Sequence, residues 1–223
     1  MKFVVRWLFR LLVLTLVLAL ALVLLKDVLL EEYLEGRLQR ATGLEVRIGR
    51  LETGLFTPLL TFEDLRLYNP PEFGGAPFLV APEVHVVYDR PALARGVVHL
   101  RLLRVHVAEL VVVEDGRGGQ NLRALGARWL TPGGPAGRAP FRFGGIDTVN
   151  LTLDRVRRVN LLRPDRNLAL DPGIRQQVFQ SLRASNDLAW ALAQLAARPG
   201  LAAALAPPAP TNAPPSRPVS PAR

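Results

Sequence analysis

The chain has 223 residues, no cysteine, a net charge of +9 and a pI near 11.2. That length allows one or two domains around a medium-sized core, and the missing cysteine excludes a disulfide framework, a cysteine-ligated zinc site and lipidation at a cysteine. A basic balance points to an anionic partner. Lys2, Arg6, Arg10, Arg217 and Arg223 lie at the two ends, however, and leave +4 for the middle, where Arg157-Arg158 is the single basic pair. The expected partners therefore do not include nucleic acid.

The run "LLVLTLVLALALVLL", Leu11 to Leu25, has no charge, proline or glycine. It is shorter than the roughly 20 residues that span a bilayer. Trp7, Leu8 and Phe9 make up the length if Arg10 snorkels to the interface. Residues 1–26 are thus expected to be an uncleaved transmembrane signal anchor. The alternative is a cleaved signal peptide, because Ala19-Leu20-Ala21 resembles a cleavage site, but the apolar run continues beyond it. Lys2, Arg6 and Arg10 favour a cytoplasmic N-terminus over Lys26, Arg37 and Arg40. The expected topology is single-pass, with the bulk of the chain outside the cytoplasm.

Asp27 to Thr42 reads as a helix continuing from the anchor, with Leu30, Leu34, Leu38 and Ala41 at helical spacing and Gly43 as its stop. From Gly43 the period becomes two: Leu44, Val46 and Ile48 alternate with Glu45, Arg47 and Gly49. Further strands are expected over Thr61–Tyr68, Val84–Tyr88, Val97–Val107 and Leu110–Glu114, separated by turn residues. "FEDLRLYNPPEF" ends its strand at Asn69-Pro70-Pro71, because proline brings no N–H to a ladder. The chain should re-enter near Phe78, and a phase slip between Phe62 and Leu65 suggests a bulge. Such spacing predicts an antiparallel meander.

"GGQNLRALGARWL" reads as a turn and a short helix with Asn121 as its N-cap, and residues 131–140 as a linker. Strands resume at Phe141–Phe143 and Asn150–Asp154, with Val149, Leu151 and Leu153 on one face and Arg155–Leu162 continuing a hairpin. Pro172–Arg183 reads as a helix with Ile174, Val178 and Leu182 inward. Ser185-Asn186-Asp187 caps a second, with Leu188, Leu192 and Leu195 inward. The region from Pro207 holds seven of the 19 prolines and reads as disordered or polyproline-like.

The expected fold is a membrane-anchored α+β protein with a curved antiparallel sheet or groove, flanking helices, C-terminal helices and a disordered tail. The divisions are 1–26 (anchor), 27–130 (juxtamembrane helix and β-groove), 131–140 (linker), 141–200 (hairpin and helices) and 201–223 (Pro/Ala-rich tail).

No nucleophile or phosphate-binding motif is present. His85, His99 and His106 lie in separate strand positions and are expected to be ordinary sheet-face histidines. Glu63-Asp64 and Glu114-Asp115 point to opposite strand faces, and the second pair fits a solvated turn. No catalytic residue, metal site or cofactor is expected. What remains is the alternating apolar face, for which Val84, Val86, Tyr88, Leu100 and Leu102 are the candidate lining. That face is either a covered core or an open trough for acyl chains, and periodicity does not separate the two.

The order "ATGLEVRIGRLETGLFTPLLTFEDLRLYNPPEF", then "VYDRPALARGVVHLRLLRVHVAELVVVEDGRGGQNLRAL", behind an anchor, resembles the N-terminal region of bacterial AsmA-family envelope proteins. It covers about residues 1–125. The resemblance implies an inner-membrane anchor, a periplasmic chorein-like β-groove, and a non-enzymatic role in lipid transport and outer-membrane biogenesis. Inner-membrane lipids and other envelope proteins are the implied partners. The rival expectation is an envelope scaffold that recruits proteins through the C-terminal helices and tail.

Overall fold

The computed structural model describes residues 2–54, 56–115, 119–130 and 142–206. The expected linker at 131–140, Phe141, and the tail from 207 onward lie outside the described residues. The first element, α1 (Lys2–Thr42), is one continuous helix. It ends where expected: Gly43 takes φ 70 and its N–H donates to the Gln39 carbonyl at 2.7 Å. Glycine occupies this left-handed position without a Cβ penalty.

Eight strands follow: β1 (Val46–Arg47), β2 (Arg50–Thr53), β3 (Leu59–Tyr68), β4 (Pro77–Tyr88), β5 (Val97–Glu114), β6 (Arg142–Asn160), β7 (Leu168–Leu170) and β8 (Ile174–Leu182). The helices between and after them are α2 (Arg90–Ala94), α3 (Asn121–Leu130), α4 (Ser185–Ala196) and α5 (Pro199–Leu205). The sheet order is β1-β3-β4-β5-β6-β7, with β2 also on β3 and β8 also on β6. The fold is α+β, built on a mostly open sheet.

Several stops and starts fall where the sequence places them. Leu44, Val46 and Ile48 are buried while Glu45, Arg47 and Gly49 are exposed. Beyond Tyr68, Pro71–Phe73 forms a 3-10 turn, Gly74 takes φ 85, and the chain re-enters at Pro77. Asn69 N–H donates to Ala76 O at 2.9 Å and closes this loop.

Four expectations are corrected. The sheet is mixed rather than antiparallel, because β5 and β6 run parallel from Val97↔Arg142 to Glu114↔Asn160. Parallel neighbours need a long crossover, and the connection from Asp115 to Phe141, which contains α3, supplies it. Residues 155–160 extend β6, and the hairpin partner is β7, paired at Val156↔Leu170. Pro172–Arg183 is not a helix: β8 pairs antiparallel with β6, from Ile146↔Leu182 to Leu153↔Ile174. Gln176 (φ 48) and Ser181 (φ 59) break its alternation, and its buried set is Ile174, Phe179 and Leu182, with Val178, expected inward, exposed. Lastly, residues 201–205, assigned to the tail, belong to α5, with Leu201 and Ala204 buried.

The phase slip expected in β3 is real but is not a shift of register. Asp64 takes φ 52, and the pairs Glu63↔Glu83 and Leu65↔Ala81 flank it in unchanged register; the register shift lies between Leu67 and Tyr68. Both Phe62 and Leu65 pack on the main core, although a regular strand would send them to opposite faces. The same three-residue step recurs in Ala81 and Val84, Val107 and Leu110, and Leu153 and Val156, all in that core. By the register, Asp64 lies across from Pro82, Pro82 from Val107, and Ala108 from Asp154. A crease therefore crosses the central strands and keeps the apolar side chains of both halves in one core.

Candidate functional site: the apolar face of the sheet

The core side of the creased sheet has two halves. On β8 and on parts of β6 it is roofed, while Val149 and Leu151 of β6 stay half-buried. Leu188, Ala191 and Leu195 of α4, with Leu201, Ala204 and Leu205 of α5, join a core that includes Ile146, Leu153, Val156, Ile174, Phe179 and Leu182. The expected inward set of α4 needs one correction: Leu192 is exposed and Ala191 takes its place, since Leu188, Ala191 and Leu195 recur at three- and four-residue steps. Asp187 starts this helix by accepting the N–H groups of Arg183 and Ala184, each at 2.8 Å.

On β3, β4 and the first part of β5 the same face carries Phe62, Val86, Leu100, Leu103 and Val105, all half-buried, around Val84, which is 7% exposed. Among the described residues no helix packs extensively on β3 or β4. The helix nearest, α3, packs on β5 and places Leu122 and Leu125 against Leu44, Phe78, Leu67, Leu79 and Leu110, at the end of the strands away from Val86 and Tyr88.

Four of the five expected lining residues share this face: Val84, Val86 and Tyr88 of β4 and Leu100 of β5. Leu102 does not. Tyr88 pairs with Leu100 while Val87 pairs with Leu102 and Val86 with Leu103. Arg101 is the extra residue of a bulge, so Leu103 joins Leu100 on the core side and Leu102 sits with Val87 on the other. Simple alternation hid this, because a one-residue insertion inverts every later position. Phe62, Leu103 and Val105 also lie on this face.

Over the middle of β3, β4 and β5, beyond Val87 and Leu102, the opposite face carries polar side chains. Thr61, His85 and Arg104 lie side by side, as do Glu63, Glu83 and His106. His85 bonds Glu83 at 2.6 Å and Thr61 at 3.0 Å, His106 bonds Asp154 at 2.7 Å, and His99 lies 3.1 Å from Asp147. Each histidine is thus held by its own neighbour. Among the described residues no group of three or more His, Cys, Asp or Glu could hold a metal ion.

The far end of the sheet is closed by two buried polar clusters. The Asn121 side chain, buried at the start of α3, accepts the N–H groups of Val113 (3.0 Å) and Leu122 (2.8 Å) and donates to Val111 O (2.9 Å) and Asn69 Oδ1 (2.7 Å). It joins the Pro-Pro loop to β5, a larger role than the N-cap expected of it. Glu114, read from sequence as part of a solvated turn, is buried. It pairs with Arg158 and accepts from Gln120 (3.2 Å) and Asn160 (3.1 Å). Burial raises its pKa, but the bonds from Gln120, Arg158 and Asn160 outweigh that and hold the carboxyl below the usual range. Arg158 also donates to Ala203 O and Gln120 to Ala206 O, each at 3.3 Å, so this clamp seats α5.

At the other end, α1 is fastened to the edge of the sheet. Glu35 accepts the Ile48 N–H at 2.6 Å. Lys26 donates to Thr53 O (2.9 Å) and Thr53 Oγ1 (2.7 Å), and Asp27 accepts the Thr53 N–H at 3.1 Å. Upstream of this joint, the described side chains of the apolar run, Leu14, Leu16, Val17, Leu18 and Leu25, are exposed. Among the described residues no single helix is long and apolar enough to cross a membrane; α4 and α5, bent by 94°, pass that test only as a pair, and by length and composition alone. Comparison with known protein families, curated proteins and solved structures gave no match for this chain.

Proposed function

We propose that the protein is a lipid-handling component of a bacterial envelope, anchored in the inner membrane by the first part of α1 with its sheet in the periplasm. The half-roofed apolar face would bind acyl chains and support phospholipid traffic and outer-membrane biogenesis, without catalysis. The observation that carries this reading is the contrast between the two halves of one core. Ile146, Leu153 and Val156 of β6 and Ile174, Phe179 and Leu182 of β8 are buried in the core that α4 and α5 complete, whereas Phe62, Val86, Leu100, Leu103 and Val105 are left half-buried, as are Val149 and Leu151 between the two halves. An acyl chain costs about 0.8 kcal/mol per CH₂ to hold in water, so a carrier must offer a continuous apolar lining of this kind. The AsmA resemblance and the exposed side chains of the apolar run support the same reading.

Native mass spectrometry of the full chain released from detergent tests it. Phospholipid should co-purify, and Val86→Glu with Leu103→Glu should remove it. Lipid-free protein, or lipid retained unchanged by the double variant, would refute the trough.

A second reading is favoured by one observation. Trp190 and Leu192 of α4 are 57% and 65% exposed, as a scaffold that recruits envelope proteins through its C-terminal helices would require. Trp190→Ala with Leu192→Ala would then abolish partner capture and leave lipid content unchanged.

A further inference from the structure

The β2–β3 turn has a feature that neither the trough nor the scaffold explains. Phe56 is 90% exposed, in the sequence Gly54-Leu55-Phe56-Thr57-Pro58. Its position relative to α1 is set by the hydrogen bonds already described. Ile48 is fixed to Glu35 and Thr53 to Lys26 and Asp27, so β2 runs back along α1 toward its N-terminus. The turn beyond Thr53, closed by Gly54 N–H donating to Leu59 O at 2.9 Å, continues in that direction. Continued in that direction, the chain is carried past Lys26 toward the end of the apolar run, which on the anchor reading puts Phe56 near the membrane surface.

The strand ends on this side share a composition. Pro58 and Leu59 adjoin Val87 and Tyr88; α2 links β4 to β5; and β6 begins here at Arg142. This end carries the exposed apolar side chains of Phe56, Leu93 and Phe143 and the exposed side chains of Arg95, Arg142 and Arg183. Its carboxylates are engaged locally. Asp89 accepts the Ala92 N–H (2.8 Å) and pairs with Arg101 (2.9 Å), and Asp187 holds the start of α4. An exposed aromatic side chain at one corner of this sheet end and exposed arginines along the rest of it match an anionic bilayer interface, where aromatic rings settle among headgroups and bases meet phosphate.

We infer that the β2–β3 turn is a second membrane contact: Phe56 enters the interface of an anionic bilayer while Arg95, Arg142 and Arg183 meet its headgroups. The trough end marked by Tyr88 and Leu100 is thereby presented to the lipid surface. This inference rests on the anchor reading of α1.

The cysteine-free chain allows single labels. Full-length protein carrying Phe56→Cys, Leu18→Cys or Leu162→Cys, each labelled with a polarity-sensitive fluorophore, is reconstituted into vesicles of phosphatidylcholine and phosphatidylglycerol with nitroxide-bearing lipids. Leu162 is 70% exposed and lies beyond Asn160, at the opposite end of the sheet. The expected result is deep quenching at 18, shallow quenching at 56 and none at 162. Each arginine near such a surface strengthens attraction about fivefold, so Arg142→Glu with Arg183→Glu should move the signal at 56 toward that at 162. Quenching at 18 with water exposure at 56, or a signal at 56 indifferent to the arginine changes, overturns the inference while leaving the anchor intact. No quenching at 18 overturns the anchor reading, and this inference with it.

Discussion

The Glu114–Arg158 clamp makes the most quantitative prediction. Glu114 is 5% and Arg158 17% exposed at their side chains. In Glu114→Ala the guanidinium loses its counter-charge, and Gln120 and Asn160 lose an acceptor. Removing one member of a buried pair costs about 3–5 kcal/mol, because the other charge is left uncompensated. The partial access of water to Arg158 places the expectation at the lower end, about 3 kcal/mol. For a chain of this size that corresponds to a fall in Tm of about 6–12 °C. Glu114→Gln keeps the volume and one carbonyl acceptor, so about half of that loss is expected. The pH dependence has a definite sign. The folded carboxyl titrates below its ordinary value, so its contribution is fully present above the unfolded value of about 4.5 and is lost as pH falls through the lower, folded value. Thermal unfolding of the full chain in detergent, followed by circular dichroism from neutral to acid pH, measures both effects. A Glu114→Ala variant within about 0.5 kcal/mol of the parent would refute the reasoning, as would a loss in the variant that persisted undiminished at a pH where Glu114 is protonated in both states.

Three other outcomes follow from the geometry. Asn121→Ala strips four hydrogen bonds from a buried site and should cost about 2–4 kcal/mol by chemical denaturation, as expected for unsatisfied buried groups. Gln176, exposed at φ 48 in β8, should gain up to about 1 kcal/mol on substitution by glycine, the left-handed penalty of about 1–2 kcal/mol exceeding glycine's entropic cost. Gln176→Val should destabilise in the same assay, because a branched Cβ is poorly accommodated at positive φ. Thr53→Val removes the hydroxyl that Lys26 and Asp27 share at the joint between helix and sheet, leaving only the backbone bonds, so hydrogen exchange should accelerate in β2 while the paired centre of β5 and β6 stays protected.

Local chemistry was legible in the sequence. Gly43 ends α1 because a residue without a Cβ takes the left-handed cap, and Asn69-Pro70-Pro71 ends β3 because proline cannot extend a ladder; both act within a few residues of chain. The slip between Phe62 and Leu65 was likewise visible as a break in period, and Asp64 is where the backbone makes it. The alternating face itself, with Val84, Val86, Tyr88 and Leu100 on one side, was readable for the same reason.

Long-range pairing was not legible. Whether β5 meets its next neighbour parallel or antiparallel depends on where the chain from Asp115 to Phe141 leads, which no local pattern encodes. Residues 174–182 became a strand because β6 offered an open ladder, while the kinks at Gln176 and Ser181 break its alternation. Leu102 left the lining because Arg101 bulges against the Val87–Tyr88 step of another strand, and Glu114 left the surface because Arg158 and Asn160, more than forty residues away, came to meet it. The amino-acid order by itself determined where segments start, stop and turn greasy, since those depend on the backbone limits of single residues. Which greasy side chains are roofed was decided only by tertiary structure, since burial belongs to neighbours that distant parts of the chain bring together.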